Sequence, residues 1–263
     1  MKTTHVVRTG LATLTAGLGA LAVTASADAP TAFTATLTPN TAGAGTAVTA
    51  GLQGADLDAA QAGKAVRSLK LQAPAGFKVL PAGVKTVCSA ADAAAKTCPA
   101  DTKIGGGTAT FTAPGVGDVT AAITLNATAP VQAGDPVGLQ FVAAALGQTF
   151  ALTARVTGGS TPSLDAEGID KALPLPITIK SLSLNLASKA TVVKTVTKLK
   201  KKRVKVNGRY VTKKVKVKVK VSTPVALLNN PATCPATGWS ATATVGFTDG
   251  SSFVAPTTIA CTS

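Results

Sequence analysis

The stretches VTAAITLN (119–126), VGLQFVA (137–143) and FALTARV (150–156) decide the fold. In each, every second residue is apolar: Val119, Ala121, Ile123 and Leu125, then Val137, Leu139 and Phe141, then Phe150, Leu152, Ala154 and Val156. Side chains alternate across a strand, so a period of two gives one apolar and one polar face, whereas a helix needs a repeat near 3.6. FTATLTP (33–39), ITIKSLSLNL (177–186) and WSATATVGF (239–247) repeat the pattern, with Gly and Pro between the runs. About a dozen such segments and no convincing long helix predict an all-β protein, an antiparallel β-sandwich.

The chain has 263 residues, enough for one large sandwich or two small ones. No Pro/Ser-rich linker divides it, which favours a single domain over residues 28–263. Aromatics are only 3% of the chain and Ala is abundant, so the two layers are expected to pack closely through small side chains.

Lys2 and Arg8 precede the apolar run GLATLTAGLGALAVTASA (10–27), which ends in Ala25-Ser26-Ala27. This is the pattern of a secretory signal peptide over residues 1–27, cleaved before Asp28. No later apolar run is long enough for a transmembrane helix. Cleavage would lower the formal charge from +15 to +13 and remove His5, the only histidine.

A mature chain without His lacks the usual general base and the commonest metal ligand. It carries a single Glu, Glu167, and isolated Asp residues, so no catalytic residue, cofactor or metal site is expected and the protein is read as a non-enzyme. Asp56 and Asp58 are too few for a calcium site. IGGGTA (104–109) lacks the Lys-Ser/Thr of a phosphate loop and reads as a turn entering a strand. Trp239 alternates with Ala241, Ala243, Val245 and Phe247, which makes it a core residue and not a stacking platform.

Four cysteines in an exported chain read as two disulfides, and local pairing gives Cys88 with Cys98 and Cys234 with Cys261. Ser89 can cap a short helix between the first two. Ten residues of continuous helix would hold the cysteines roughly 15 Å apart, so the helix must end within two turns and the chain must fold back.

LKLQAPAGFKVLPAGVKTVCSAADAAAKTCPADTKIGGGTATF (69–111), IDKALPLPITIKSLSLNL (169–186) and PVALLNNPATC (224–234) together resemble an uncharacterised group of exported β-sandwich proteins from high-GC Gram-positive bacteria. The resemblance rests on a spaced Cys pair with a Cys-Pro-Ala-Asp segment and on an Asn-Pro-x-x-Cys element. It implies an exported sandwich and carries no activity. A Lys-rich run occupies what resembles a short connection in that group, so the run reads as an elaboration on the sandwich.

That run is KTVTKLKKKRVKVNGRYVTKKVKVKVKVSTP (194–224), with thirteen Lys or Arg and no acid from Lys194 to Lys220. Between Asp170 and Asp249 there is no acidic residue at all, so the basic excess is local. Asn207-Gly208 signals a two-residue hairpin turn, which makes residues 190–224 a β-hairpin insertion. After the turn, Val215, Val217, Val219 and Val221 face one way and Lys214, Lys216, Lys218 and Lys220 the other. A strict register would set Lys198 and Lys200 opposite Val217 and Val215, so a β-bulge near the tip is expected, which would bring Leu199 opposite Val215 and keep the Val face buried.

Lys200, Lys201, Lys202, Arg203, Lys205, Arg209, Lys213, Lys214, Lys216, Lys218 and Lys220 are the candidate polyanion-binding residues. The partner they suit is an anionic cell-envelope polymer such as teichoic acid, acidic polysaccharide or anionic lipid. The lack of interleaved aromatics argues against nucleic acid. The competing reading is a structural envelope protein whose lysines only protect an exposed β-edge or dock a partner subunit.

Overall fold

The computed structural model describes residues 32–263 apart from positions 146, 174–175, 188 and 207–208, with the backbone alone described at 192, 194, 204–206, 211 and 213. The signal segment 1–27 and the Asn207-Gly208 turn lie outside the described residues. The strands are β1 (Phe33–Thr38), β2 (Gly45–Gln53), β3 (Val66–Gln72), β4 (Lys78–Val79), β5 (Lys103–Ala113), β6 (Gly117–Thr128), β7 (Val137–Ala145) and β8 (Gln148–Val156). They continue with β9 (Ser163–Glu167), β10 (Thr178–Leu186), β11 (Lys189–Val206), β12 (Arg209–Ala226), β13 (Leu228–Asn229), β14 (Trp239–Phe247) and β15 (Ser252–Ile259). Three short α-helices, α1 (Ala55–Ala60), α2 (Ala90–Ala95) and α3 (Ile169–Ala172), and two 3₁₀ turns, Pro81–Gly83 and Ala100–Thr102, complete the described elements.

Thirteen strands form one antiparallel sheet in the order β15-β14-β3-β9-β8-β7-β6-β5-β10-β2-β13-β4, with β1 on the other side of β2. The sheet curls so that its ends meet. Thr262 N–H donates to Asn40 O (3.1 Å) and Ala42 N–H to Thr262 O (2.8 Å) beside the β1–β2 connection. The apolar alternation therefore has one enclosed interior to face, which is the sandwich expected from the sequence. Outside the Lys-rich hairpin, the alternating sets read from the sequence lie in that core or pack against it, from Phe33, Ala35 and Leu37 to Trp239, Ala243 and Phe247. Leu52, Leu125, Leu139, Leu184 and Phe247 are fully buried, and each such side chain stabilises the fold by about 1.5–3 kcal/mol.

IGGGTA is not a turn: residues 104–109 run inside β5. A Cβ at Gly105 would strike the Asn185 carbonyl of β10, and one at Gly107 the Ser183 carbonyl, so the glycines let β10 lie tightly on β5. At the other end of β10 the ladder to β5 shifts register between Ile179 and Ser181. Gln61 repairs the break from beyond α1, accepting from Ile179 N–H (2.9 Å) and donating to Ile179 O (2.5 Å).

The interior is incompletely filled. Two apolar cavities of about 120 and 130 Å³ lie between the inward faces.

Candidate functional site

The hairpin is an interruption of one strand pairing. β10 pairs with β2 until Leu186 meets Val48, and β13 resumes on the same strand with Leu228 opposite Thr46. Two further residues of β10 in the same register would have reached Thr46, so the chain leaves and rejoins the sheet forty residues apart at nearly one point. Between these points β11 and β12, each 18 residues long, pair among the described residues only with each other. At about 3.3 Å per residue the ribbon extends roughly 60 Å. It touches the body at its root, against the 3₁₀ turn Pro81–Gly83 and β2. There Gly83 allows the backbone of Ala226 and Leu227 to pass where any Cβ would collide.

The ladder runs without a shift from Lys189 opposite Ala226 to Val206 opposite Arg209. The expected bulge is absent: Lys200 lies opposite Val215 and Lys198 opposite Val217. The bulge was inferred from a buried Val face, but the ribbon projects from the body, so no burial energy rewards a slip and the two-residue connection sets the register. Val215, Val217, Val219 and Val221 are only half-buried, while Val193 is 55% and Leu199 64% exposed.

Residues directly opposite in an antiparallel ladder share a face. One face therefore receives Lys201, Arg203, Lys205, Lys214, Lys216, Lys218 and Lys220 by ladder position. Lys200, Lys202, Arg209 and Lys213 fall on the opposite face with the valines. The eleven candidates thus divide between two faces. Lys201, Arg203, Lys214, Lys216, Lys218 and Lys220 are all exposed. Among the described residues the ion pairs are Lys64–Asp249, Lys70–Asp165, Arg155–Asp135 and Lys180–Asp58, and none includes a hairpin cation.

Sequence reasoning missed the partners of the Lys stripe. Thr195 and Thr197 lie opposite Lys220 and Lys218, adding hydroxyl donors to the cationic face. Tyr210, 68% exposed, lies on it near the tip. Its parity with Lys214 through Lys220 was the signal that placed it there.

Both disulfides form as read, with Cα separations of 5.3 Å for Cys88–Cys98 and 5.7 Å for Cys234–Cys261. Ser89 Oγ accepts from Asp92 N–H, and Lys96 turns left-handed at φ 61°, so α2 stops after six residues and the chain folds back. The quoted motifs are structural. Asp101 of the Cys-Pro-Ala-Asp segment accepts from Thr86 Oγ1 (2.8 Å), and Asn230 donates to Pro39 O and Thr41 O, both at 2.8 Å. Trp239 is buried, and its Nε1–H donates to Thr233 O (2.8 Å).

Arg155 grips Asp135 through Nε at 2.8 Å and Nη2 at 3.0 Å, and the Gln132 N–H adds a third bond, so the Asp135 carboxyl titrates below its ordinary value despite burial. Asp249 is lowered by hydrogen bonds from Ser251 and, more weakly, by Lys64. Among the described residues no group of three or more His, Cys, Asp or Glu is placed to hold a metal ion, and no helix is long and apolar enough to cross a membrane. Comparison with protein families, with curated proteins and with solved structures found no match.

Proposed function

We propose that this is an exported, non-catalytic protein whose hairpin binds extracellular polyanions: teichoic acid, acidic polysaccharide or anionic lipid headgroups. The observation that carries the reading is a ladder placing seven cations on one face of a projecting ribbon, with no acid on the ribbon and no described ion pair to neutralise it. Such a surface attracts a linear polyanion and releases its counterions on contact. The two disulfides and the N-terminal signal pattern support export, in keeping with the exported group the motifs resemble.

Lys198, Lys200 and Lys202 argue against the ribbon as a membrane-crossing stem. They share the face of Val215, Val217 and Val219, where each would cost about 2–4 kcal/mol against lipid at the bilayer midplane. A second reading draws on the outer edges of β11 and β12, which have no ladder partner among the described residues. Lysines on such edges keep chains from pairing.

One screen separates the two readings. Mature protein is tested against an array of cell-envelope polymers at several salt concentrations. Salt-sensitive binding that Lys-to-Gln substitution weakens supports the polyanion site. A Gln variant that binds as the parent does but aggregates supports edge protection instead.

A further inference from the structure

We propose that the interior of the sandwich is a binding site for the hydrocarbon chain of an anionic amphiphile, the chain lying in the two cavities and the acid group outside, at the root of the hairpin. The headgroup part rests on the hairpin being an anion site; the chain part does not.

The two cavities lie in line along the same strands. Leu71, Leu139 and Leu184 line the first, and Leu69, Phe141 and Leu182, each two residues along on the same strand, line the second. On β7 the lining runs from Val137 to Ala145, a span of roughly 26 Å at strand rise. The walls offer almost no polar surface, so an occupant has nothing to hydrogen-bond inside and water has no partners there.

Size narrows the class. An apolar void of about 150 Å³ stays dry and admits benzene, and each cavity is slightly smaller, at about 120 and 130 Å³. Two small apolar spaces set end to end along the strands suit a single extended alkyl chain. Leu71, Leu182 and Phe141 line them and are only half-buried, and neither space is fully enclosed, so both are reachable from outside.

The walls are kept open by small residues. Ala35, Ala50 and Ala241 line the first cavity and Ala109, Ala121 and Ala143 the second, positions where a larger apolar side chain would close the space. Leu186 and Leu227, which flank the excursion of the chain into the hairpin, both line the first cavity. The cavity therefore ends where the cationic ribbon begins, with Lys189 exposed at its root.

The test uses full-length mature protein stripped of co-purifying lipid and titrated with cis-parinaric acid, whose fluorescence rises in apolar surroundings. Hexadecanoate, lysophosphatidylglycerol and hexadecanol serve as competitors. Uptake should weaken at least tenfold in Ala241→Leu and in Ala143→Leu, with melting temperatures unchanged or raised because the added side chain fills a void. Lys214, Lys216, Lys218 and Lys220→Gln should retain chain uptake even where polymer binding is lost, which separates this site from the hairpin reading. Displacement by hexadecanoate alone assigns the site to free fatty acids; displacement by lysophosphatidylglycerol as well assigns it to lipid chains. No uptake by the parent, or equal uptake by both Ala variants, overturns the chain site. Displacement by hexadecanol as readily as by the acids overturns the anionic part. Should Ala241→Leu fail to fold, Ala143→Leu in the other cavity carries the test.

Discussion

Replacing Lys214, Lys216, Lys218 and Lys220 together by Gln removes four of the seven cations on one face of the hairpin and leaves its length and shape unchanged. For a single-stranded polyanion, each neutralised phosphate contributes about 0.7 to the slope of log affinity against log salt. With all seven cations engaged the slope is roughly −5, and affinity falls by nearly 1,000-fold between about 50 and 200 mM salt. With three left the slope is roughly −2 and the fall is roughly 20-fold. The four side chains are exposed and make no described ion pair, and neighbours in the stripe repel one another, so the melting temperature should not drop. Titrating parent and variant with poly(glycerol phosphate) at three salt concentrations, beside a thermal melt, measures both quantities. A variant with the parent's slope, or a parent whose affinity ignores salt, would show that the lysine face does not hold the polymer.

Deleting residues 187–226 joins Leu186 to Leu227, keeps the buried Leu227 and restores one continuous register along β2, so the shortened protein should fold and melt cooperatively while losing polymer binding; circular dichroism melts check this. Changing Val215, Val217 and Val219 to Thr should leave the main melting transition in place, because those valines are half-exposed and stand outside the core cluster and the side chains packed on it; a large drop in that transition would show a docked ribbon. The folded-state pKa of Asp135 is depressed, so its contribution to stability is present above the ordinary carboxylate value and is lost as pH falls below it. Asp135→Asn should therefore destabilise the protein at neutral pH, and the gap to the parent should close below about pH 4 in denaturant melts.

The sandwich was legible because strand alternation is local and survives without knowledge of partners. Phe150, Leu152, Ala154 and Val156 point inward as their spacing requires. The disulfides were legible because a short covalent loop constrains its own geometry. What failed depended on contacts distant in sequence. The glycines at 105 and 107 read as a turn because only the carbonyls of β10, some eighty residues on, show why a strand needs them. The Gln61 clamp on Ile179 spans 118 residues and has no local signature. The hairpin register was misjudged for a different reason: the burial of its Val face was assumed, and a projecting ribbon removes the force that would have shifted it. Both cavities were invisible, since voids arise from how inward faces meet and not from any one of them.

On the proposed function a polyanion sits along the cationic face of the hairpin. Lysine acetylation footprinting of the mature protein, with and without poly(glycerol phosphate) at low salt, tests it residue by residue. Lys201, Lys214, Lys216, Lys218 and Lys220 should be protected, with added salt reversing the protection, while Lys64, Lys70 and Lys180 on the body react unchanged. Protection confined to body lysines, or none at polymer concentrations that saturate binding, would contradict it.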